Sequence, residues 1–150
     1  MKKNIFLALC LILGSTLTEA AVSCSISSSG LSFGIIDPLY SVEITSTGAV
    51  NLNCTGGSAT YTIHLSQGYG SMAQRLMKSG LNNLKYNLYT SNSYSSVLGD
   101  GTAGSLAING SSATDTLDTS YLVYGKISNI GLSRTEPGVY NDNVLVTIIY

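Results

Sequence analysis

Val139-Tyr140-Asn141-Asp142-Asn143-Val144-Leu145-Val146-Thr147-Ile148-Ile149-Tyr150, which follows Pro137-Gly138, reads as a β-strand that runs to the last residue. At the two-residue period of a strand, Val144, Val146, Ile148 and Tyr150 share one face while Leu145, Thr147 and Ile149 take the other, so both faces want cover. An apolar strand left at an edge is an aggregation liability unless something pairs with it. A partner strand, from this chain or from another, is therefore the first functional requirement that the pattern predicts.

Working back from that stretch, short β-like runs recur between turn signals, which predicts an all-β antiparallel sandwich. Strands are expected near Leu31 to Ile36, Ala49 to Cys54, Thr60 to Ser66, Leu84 to Thr90, Leu106 to Ile108, Tyr121 to Ile127 and Asn143 to Tyr150. Asp37-Pro38, Gly56-Gly57, Gly68 to Gly70, Gly99-Asp100-Gly101, Asn109-Gly110 and Pro137-Gly138 supply the breaks. Alternation turns Leu31, Phe33 and Ile35 inward, with Tyr61, Ile63 and Leu65, and with Leu84, Tyr86 and Leu88; Lys85, Asn87 and Tyr89 are expected to face outward. About six long strands and one short one fall below what a complete immunoglobulin-like sandwich wants, with no segment after Tyr150 to add the last.

At the other end, Lys2 and Lys3 precede an apolar run from Ile5 to Leu13 and then small residues around Ala20-Ala21, the order of an export leader, expected to span residues 1–20. That run is too short to cross a membrane, and Cys10 lies inside its apolar core. Removal of the leader leaves residues 21–150 as one domain, with five Lys and Arg against seven Asp and Glu. No clustered basic surface is visible, which argues against nucleic acid as a partner. Cys24 and Cys54 remain, and in an exported chain an even pair reads as a disulfide.

Few residues suggest chemistry. His64, the single histidine, falls on an outward strand position without partners at a metal-ligand or general-base spacing. Asp37, Glu43, Asp100, Asp115, Asp118, Glu136 and Asp142 sit mostly in turn-like stretches, where a structural role outweighs a glycosidase pair. No catalytic residue, metal site or cofactor is expected. Among ten tyrosines, Tyr69 and Tyr94, with Met72 nearby, fall in loops and are candidates for an adhesive surface.

Leu31-Ser32-Phe33-Gly34-Ile35-Ile36-Asp37-Pro38, Cys24 with Cys54-Thr55-Gly56-Gly57, Arg75-Leu76-Met77, Leu84-Lys85-Tyr86-Asn87-Leu88-Tyr89, Leu98-Gly99-Asp100-Gly101, Val123-Tyr124-Gly125-Lys126-Ile127 and Gly138-Val139-Tyr140-Asn141-Asp142 occur along the chain. Taken together and in order, these motifs resemble the spore coat protein U domain family, which includes subunits of archaic, Csu-type chaperone-usher pili. The resemblance implies an incomplete immunoglobulin-like β-sandwich of the pilin type, lacking its last strand. It implies a periplasmic chaperone, an outer-membrane usher and neighbouring pilin subunits as partners, passage through the periplasm to the cell surface, and a role in attachment or biofilm formation on a host or abiotic surface. Strand addition satisfies an open edge with main-chain hydrogen bonds while alternate side chains fill pockets. The groove residues it implies are Val144, Val146, Ile148 and Tyr150 on one lip and Leu31, Phe33 and Ile35 on the other.

Two features depart from the family pattern. Leu98 stands where an aromatic residue is common. More consequentially, cleavage after Ala20 leaves only Ala21-Val22-Ser23 before Cys24, about 10 Å of extended chain and too short to serve as a donor strand. A subunit that accepts a strand without giving one belongs at a terminal position such as a pilus tip. The rival readings are a self-contained coat or extracellular matrix protein and a sugar-binding sandwich.

Overall fold

The computed structural model describes residues 21–37, 43–127 and 135–150. The expected leader over residues 1–20 and Pro38 of the Asp37-Pro38 break lie outside the described residues.

The described residues form eight strands: β1 Ser23–Ser28, β2 Ile44–Thr55, β3 Ala59–Leu65, β4 Arg75–Ser79, β5 Asn82–Tyr89, β6 Ile108–Ser112, β7 Thr116–Ile127 and β8 Val146–Ile149. They form two antiparallel sheets, in the orders β1-β2-β7-β5-β4 and β6-β3-β8. The two sheets face each other across one core. Alternation builds it as expected from Tyr61, Ile63 and Leu65 of β3 and from Leu84, Tyr86 and Leu88 of β5, joined by Val50, Leu52, Val123, Ile127 and the fully buried Leu98.

Cys24 and Cys54 are directly paired between β1 and β2 and form a disulfide. The cross-link ties an edge strand, polar except for Ile26, to the longest ladder of the sheet. On the chain-entropy account, closing a loop of 30 residues stabilises by about 3 to 4 kcal/mol.

The structure adds β1 and β4 to the expected strands and corrects the expectations in three further places. Residues 31–37 are not a strand. Gly34 adopts a φ of 71°, a left-handed conformation that interrupts the alternation; Leu31 and Phe33 still pack on the core, but Ile35 is fully exposed and Ile36 takes the inward place. Asn109-Gly110 is no turn: it lies inside β6 opposite Thr62 and Tyr61, where the Tyr61 ring occupies the space a Cβ on Gly110 would need. Asn87, expected outward, is buried.

Asn87 is buried because of Arg75, whose side chain is 0% exposed. The Arg75 guanidinium donates to the Ser66 carbonyl from Nε at 3.0 Å and Nη2 at 2.8 Å, to the Leu98 carbonyl at 2.9 Å and to Asn87 Oδ1 at 2.7 Å. Asn87 Nδ2 in turn donates to the Met72 and Ala73 carbonyls, both at 3.0 Å. A buried charge is costly unless its hydrogen bonds are made; here one planar fork ties two loops, through Ser66 and Leu98, to Asn87 of β5. Burial nevertheless pushes the Arg75 pKa down from its usual value.

Candidate functional site: an open cleft beside the last strand

Among the described residues β8 is an edge strand, paired on one side only, with β3. Just before it, the Ser66 amide donates to the Leu145 carbonyl at 2.9 Å, and the Leu145 amide donates to Ser66 Oγ at 2.8 Å. In a strand both backbone groups of one residue point the same way and those of the next residue point the opposite way. Leu145, Thr147 and Ile149 therefore direct their backbone toward β3, and Val144, Val146 and Ile148 direct theirs toward the free edge.

Beside that edge lies a cleft of about 360 Å³. One wall is Ser28 to Phe33, leaving the end of β1. The other is Tyr140 to Val146, and the floor is the apolar interior at Val50, Leu65, Met77, Leu88 and Val123. Gly48 lines the cleft, and Gly125 lies beneath the Leu31 and Phe33 wall. A Cβ on Gly48 would fall 2.4 Å from the Gly30 carbonyl oxygen, and one on Gly125 would fall 2.7 Å from Leu31 Cδ1 and 2.9 Å from Phe33 Cζ. The absence of side chains there lets the Gly30 to Phe33 segment lie down on the inner face of the larger sheet.

Tyr86 crosses the floor from one wall to the other. Its ring meets Phe33 edge to face, with centroids 6.0 Å apart, and its hydroxyl donates to Asp142 Oδ2 at 2.7 Å. Burial first, and then the bond to Asp142, push the Tyr86 pKa well up. Asp142 Oδ1 accepts the Tyr69 amide at 3.1 Å, and Asn141 exchanges backbone bonds of 2.8 and 3.1 Å with Lys78. Tyr140 closes the preceding corner by donating its hydroxyl to the Glu136 carbonyl at 2.8 Å.

Of the groove residues expected from the sequence, Leu31, Phe33, Val144 and Val146 line the cleft. Ile148 packs against the core further along β8. Tyr150 is largely exposed, and Ile35 points away altogether. Gly48, Gly125, Tyr86 and Asp142 were not singled out for the groove; a glycine inside an apolar alternation, as in Val123-Tyr124-Gly125-Lys126-Ile127, is the one signal that marks a close backbone approach.

The candidate adhesive residues separate. Tyr69 is half exposed, with the Lys78 ammonium 4.5 Å from its ring centroid. Tyr94 stands at a φ of 52°, edge to face with Tyr89, and Lys126 lies 5.0 Å from its ring centroid. Met72, in contrast, is 5% exposed and contacts Arg75, so it offers no surface. His64 lies on the outer side of β3 opposite Thr147. No group of three or more His, Cys, Asp or Glu able to hold a metal ion occurs among the described residues.

The family model of the Spore Coat Protein U domain matches residues 13–147. Among solved structures, the chain is similar to a chain of the CsuC-CsuE chaperone-tip adhesion subunit pre-assembly complex from archaic chaperone-usher Csu pili of Acinetobacter baumannii. The TM-score is 0.59 at 22% identity, over 87% of this chain and 40% of that one. That likeness is one of fold, and this chain spans less than half the length of its neighbour. No curated protein matches it.

Proposed function

We propose, on the premise that the chain belongs to the Spore Coat Protein U domain family, that it is an exported, non-enzymatic subunit of a surface pilus. Its open sandwich is held by a periplasmic chaperone and then completed by a strand from a neighbouring subunit. The observation that carries this reading is the edge of β8, unpaired among the described residues: the backbone groups of Val144, Val146 and Ile148 face outward, and Val144 and Val146 line a cleft with an apolar floor. A strand laid there would satisfy the edge and widen the smaller sheet from three strands to four. Its alternate side chains would fill the cleft, a packing gain on the order of several kcal/mol.

The same reading makes the subunit an acceptor. Ala21 and Val22 lie against Gly56 and Gly57, and β1 begins at Ser23. The packing of residues 21 and 22 on this domain's own Gly56 and Gly57 is what supports reading it as an acceptor with a terminal place in the fibre. Tyr69, half exposed, and the partly buried Tyr94 then offer a surface for attachment.

The test is to shear surface fibres from cells that express the chain with and without its periplasmic chaperone and usher. The subunit is expected in the fibre fraction only when both are present, and its mature N-terminus is expected at Ala21. Secretion of a folded monomer without either partner would refute the assembly reading.

The self-contained coat or matrix reading draws on one observation. Gly30 to Phe33 already covers part of the cleft floor, as Leu31 and Phe33 pack over Gly125. It predicts a stable monomer that ignores added strands.

A further inference from the structure

The cleft has an apolar floor at Val50, Leu65, Met77, Leu88 and Val123 and a polar stretch of wall from Tyr140 to Asn143. Among its lining residues Asp142 is the single charged side chain, and no salt bridge among the described residues reaches it; Arg75 acts on it only through space, its guanidinium being held by Ser66, Leu98 and Asn87. Its two bonds, from the Tyr86 hydroxyl and the Tyr69 amide, leave acceptor capacity, since an ionised carboxylate offers about four lone-pair sites. Position matters as much as charge. Asp142, Val144, Val146 and Ile148 follow the two-residue period, and all four are half-buried on the same side.

A strand laid along the free edge presents its own alternate residues to this row. Those beside Val144 and Val146 meet Val50, Leu65 and Val123. The one two positions further on meets the Asp142 carboxylate, which is partly sheltered from water by Tyr86 and the Gly68-Tyr69 backbone. A small apolar residue there would leave the carboxylate half-desolvated, whereas an ammonium or guanidinium would reach it with a charge-assisted hydrogen bond.

Resting on the reading of the cleft as a strand acceptor, we infer that the segment it accepts alternates apolar residues and ends, at the Asp142 side, in a Lys or Arg. Asp142 is then the specificity-determining residue of the groove, fixing which way and how far the partner strand is laid in. A partner shifted by two residues would place an apolar side chain on the carboxylate and lose the bond.

The experiment compares synthetic peptides that alternate Val and Thr and carry Lys, norleucine or Glu at one end or the other, titrated into the disulfide-intact mature chain. The Lys peptide of the correct polarity is expected to bind about tenfold more tightly than the norleucine peptide, and the Glu peptide more weakly than either. High salt and Asp142→Asn, whose amide oxygen still accepts from Tyr86, are each expected to shrink the Lys advantage while leaving norleucine binding in place. Equal binding of the Lys and norleucine peptides by the unmodified chain overturns the inference without touching the groove. A Lys advantage that survives in Asp142→Asn overturns it as well. Failure of every peptide to bind overturns both the inference and the groove reading beneath it.

Discussion

Ser66 and Leu145 grip each other twice, with the Ser66 amide on the Leu145 carbonyl and the Leu145 amide on Ser66 Oγ. That pair of bonds fixes the phase of the last strand. It decides that Val144, Val146 and Ile148, rather than their neighbours, carry the backbone groups open to a partner.

A proline scan reads that phase directly. Proline is tolerated on an edge strand where its missing amide faces outward. Val146→Pro is expected to leave the isolated domain within about 1 kcal/mol of its normal stability while abolishing strand addition. Thr147→Pro removes an amide directed at β3 and is expected to cost on the order of 1 to 3 kcal/mol in the domain itself. Urea midpoints and binding of a partner strand, measured side by side, separate the two.

Gly48 and Gly125 are expected to differ. Gly48→Ala drives a methyl into the backbone carbonyl of Gly30, which cannot rotate away, whereas Gly125→Ala meets the ends of the Leu31 and Phe33 side chains, which can. Gly48→Ala is expected to cost about 1 to 3 kcal/mol in thermal or urea unfolding, and Gly125→Ala less. Gly125→Ala should still narrow the cleft and weaken partner binding.

Arg75 is expected to be the most sensitive polar position in the core. Arg75→Lys keeps a charge but not the fork that spans Ser66, Asn87 and Leu98, and should destabilise by about 2 to 3 kcal/mol. Asn87→Ala, which strands the Met72 and Ala73 carbonyls, should cost a similar amount. The double variant should lose less than the sum, because the two side chains bond to each other.

Alkaline pH offers a fourth check. The Tyr61 and Tyr121 hydroxyls meet at 2.6 Å, and burial, followed by that bond, pushes the Tyr121 pKa up to about 12. The folded state thus keeps a proton that the unfolded chain releases near pH 10. The stabilisation is intact below pH 10 and is lost as pH rises from 10 to 12. Tyr121→Phe should flatten that fall in a pH series of urea midpoints.

Much of this architecture was legible in the chain. Strands whose apolar residues alternate cleanly, such as Tyr61-Thr62-Ile63-His64-Leu65, declared both their existence and their buried face. The failures have physical causes. β1, Ser-Cys-Ser-Ile-Ser-Ser, carries too few apolar side chains to signal a strand and is held by the Cys24–Cys54 bridge and its ladder to β2. β4 hid because it is short and one of its two inward residues, Arg75 beside Met77, is an arginine whose burial depends on carbonyls from neighbouring loops. Ile35 was misplaced by a single backbone angle at Gly34. The cleft was legible in its apolar lip, Val144 and Val146, but not in Tyr86, Asp142, Gly48 or Gly125, whose roles exist only once two sheets are stacked.

The central claim is that the outer edge of β8 is open until another strand fills it, and hydrogen exchange resolved at single amides tests it most directly. In the isolated mature chain, Val144, Val146 and Ile148 are expected to exchange rapidly and Thr147 and Ile149 slowly. A bound partner strand should protect the first three by orders of magnitude and leave the other two little changed. Slow exchange at Val144, Val146 and Ile148 in the isolated chain would mean that the edge is already paired, and would contradict the account.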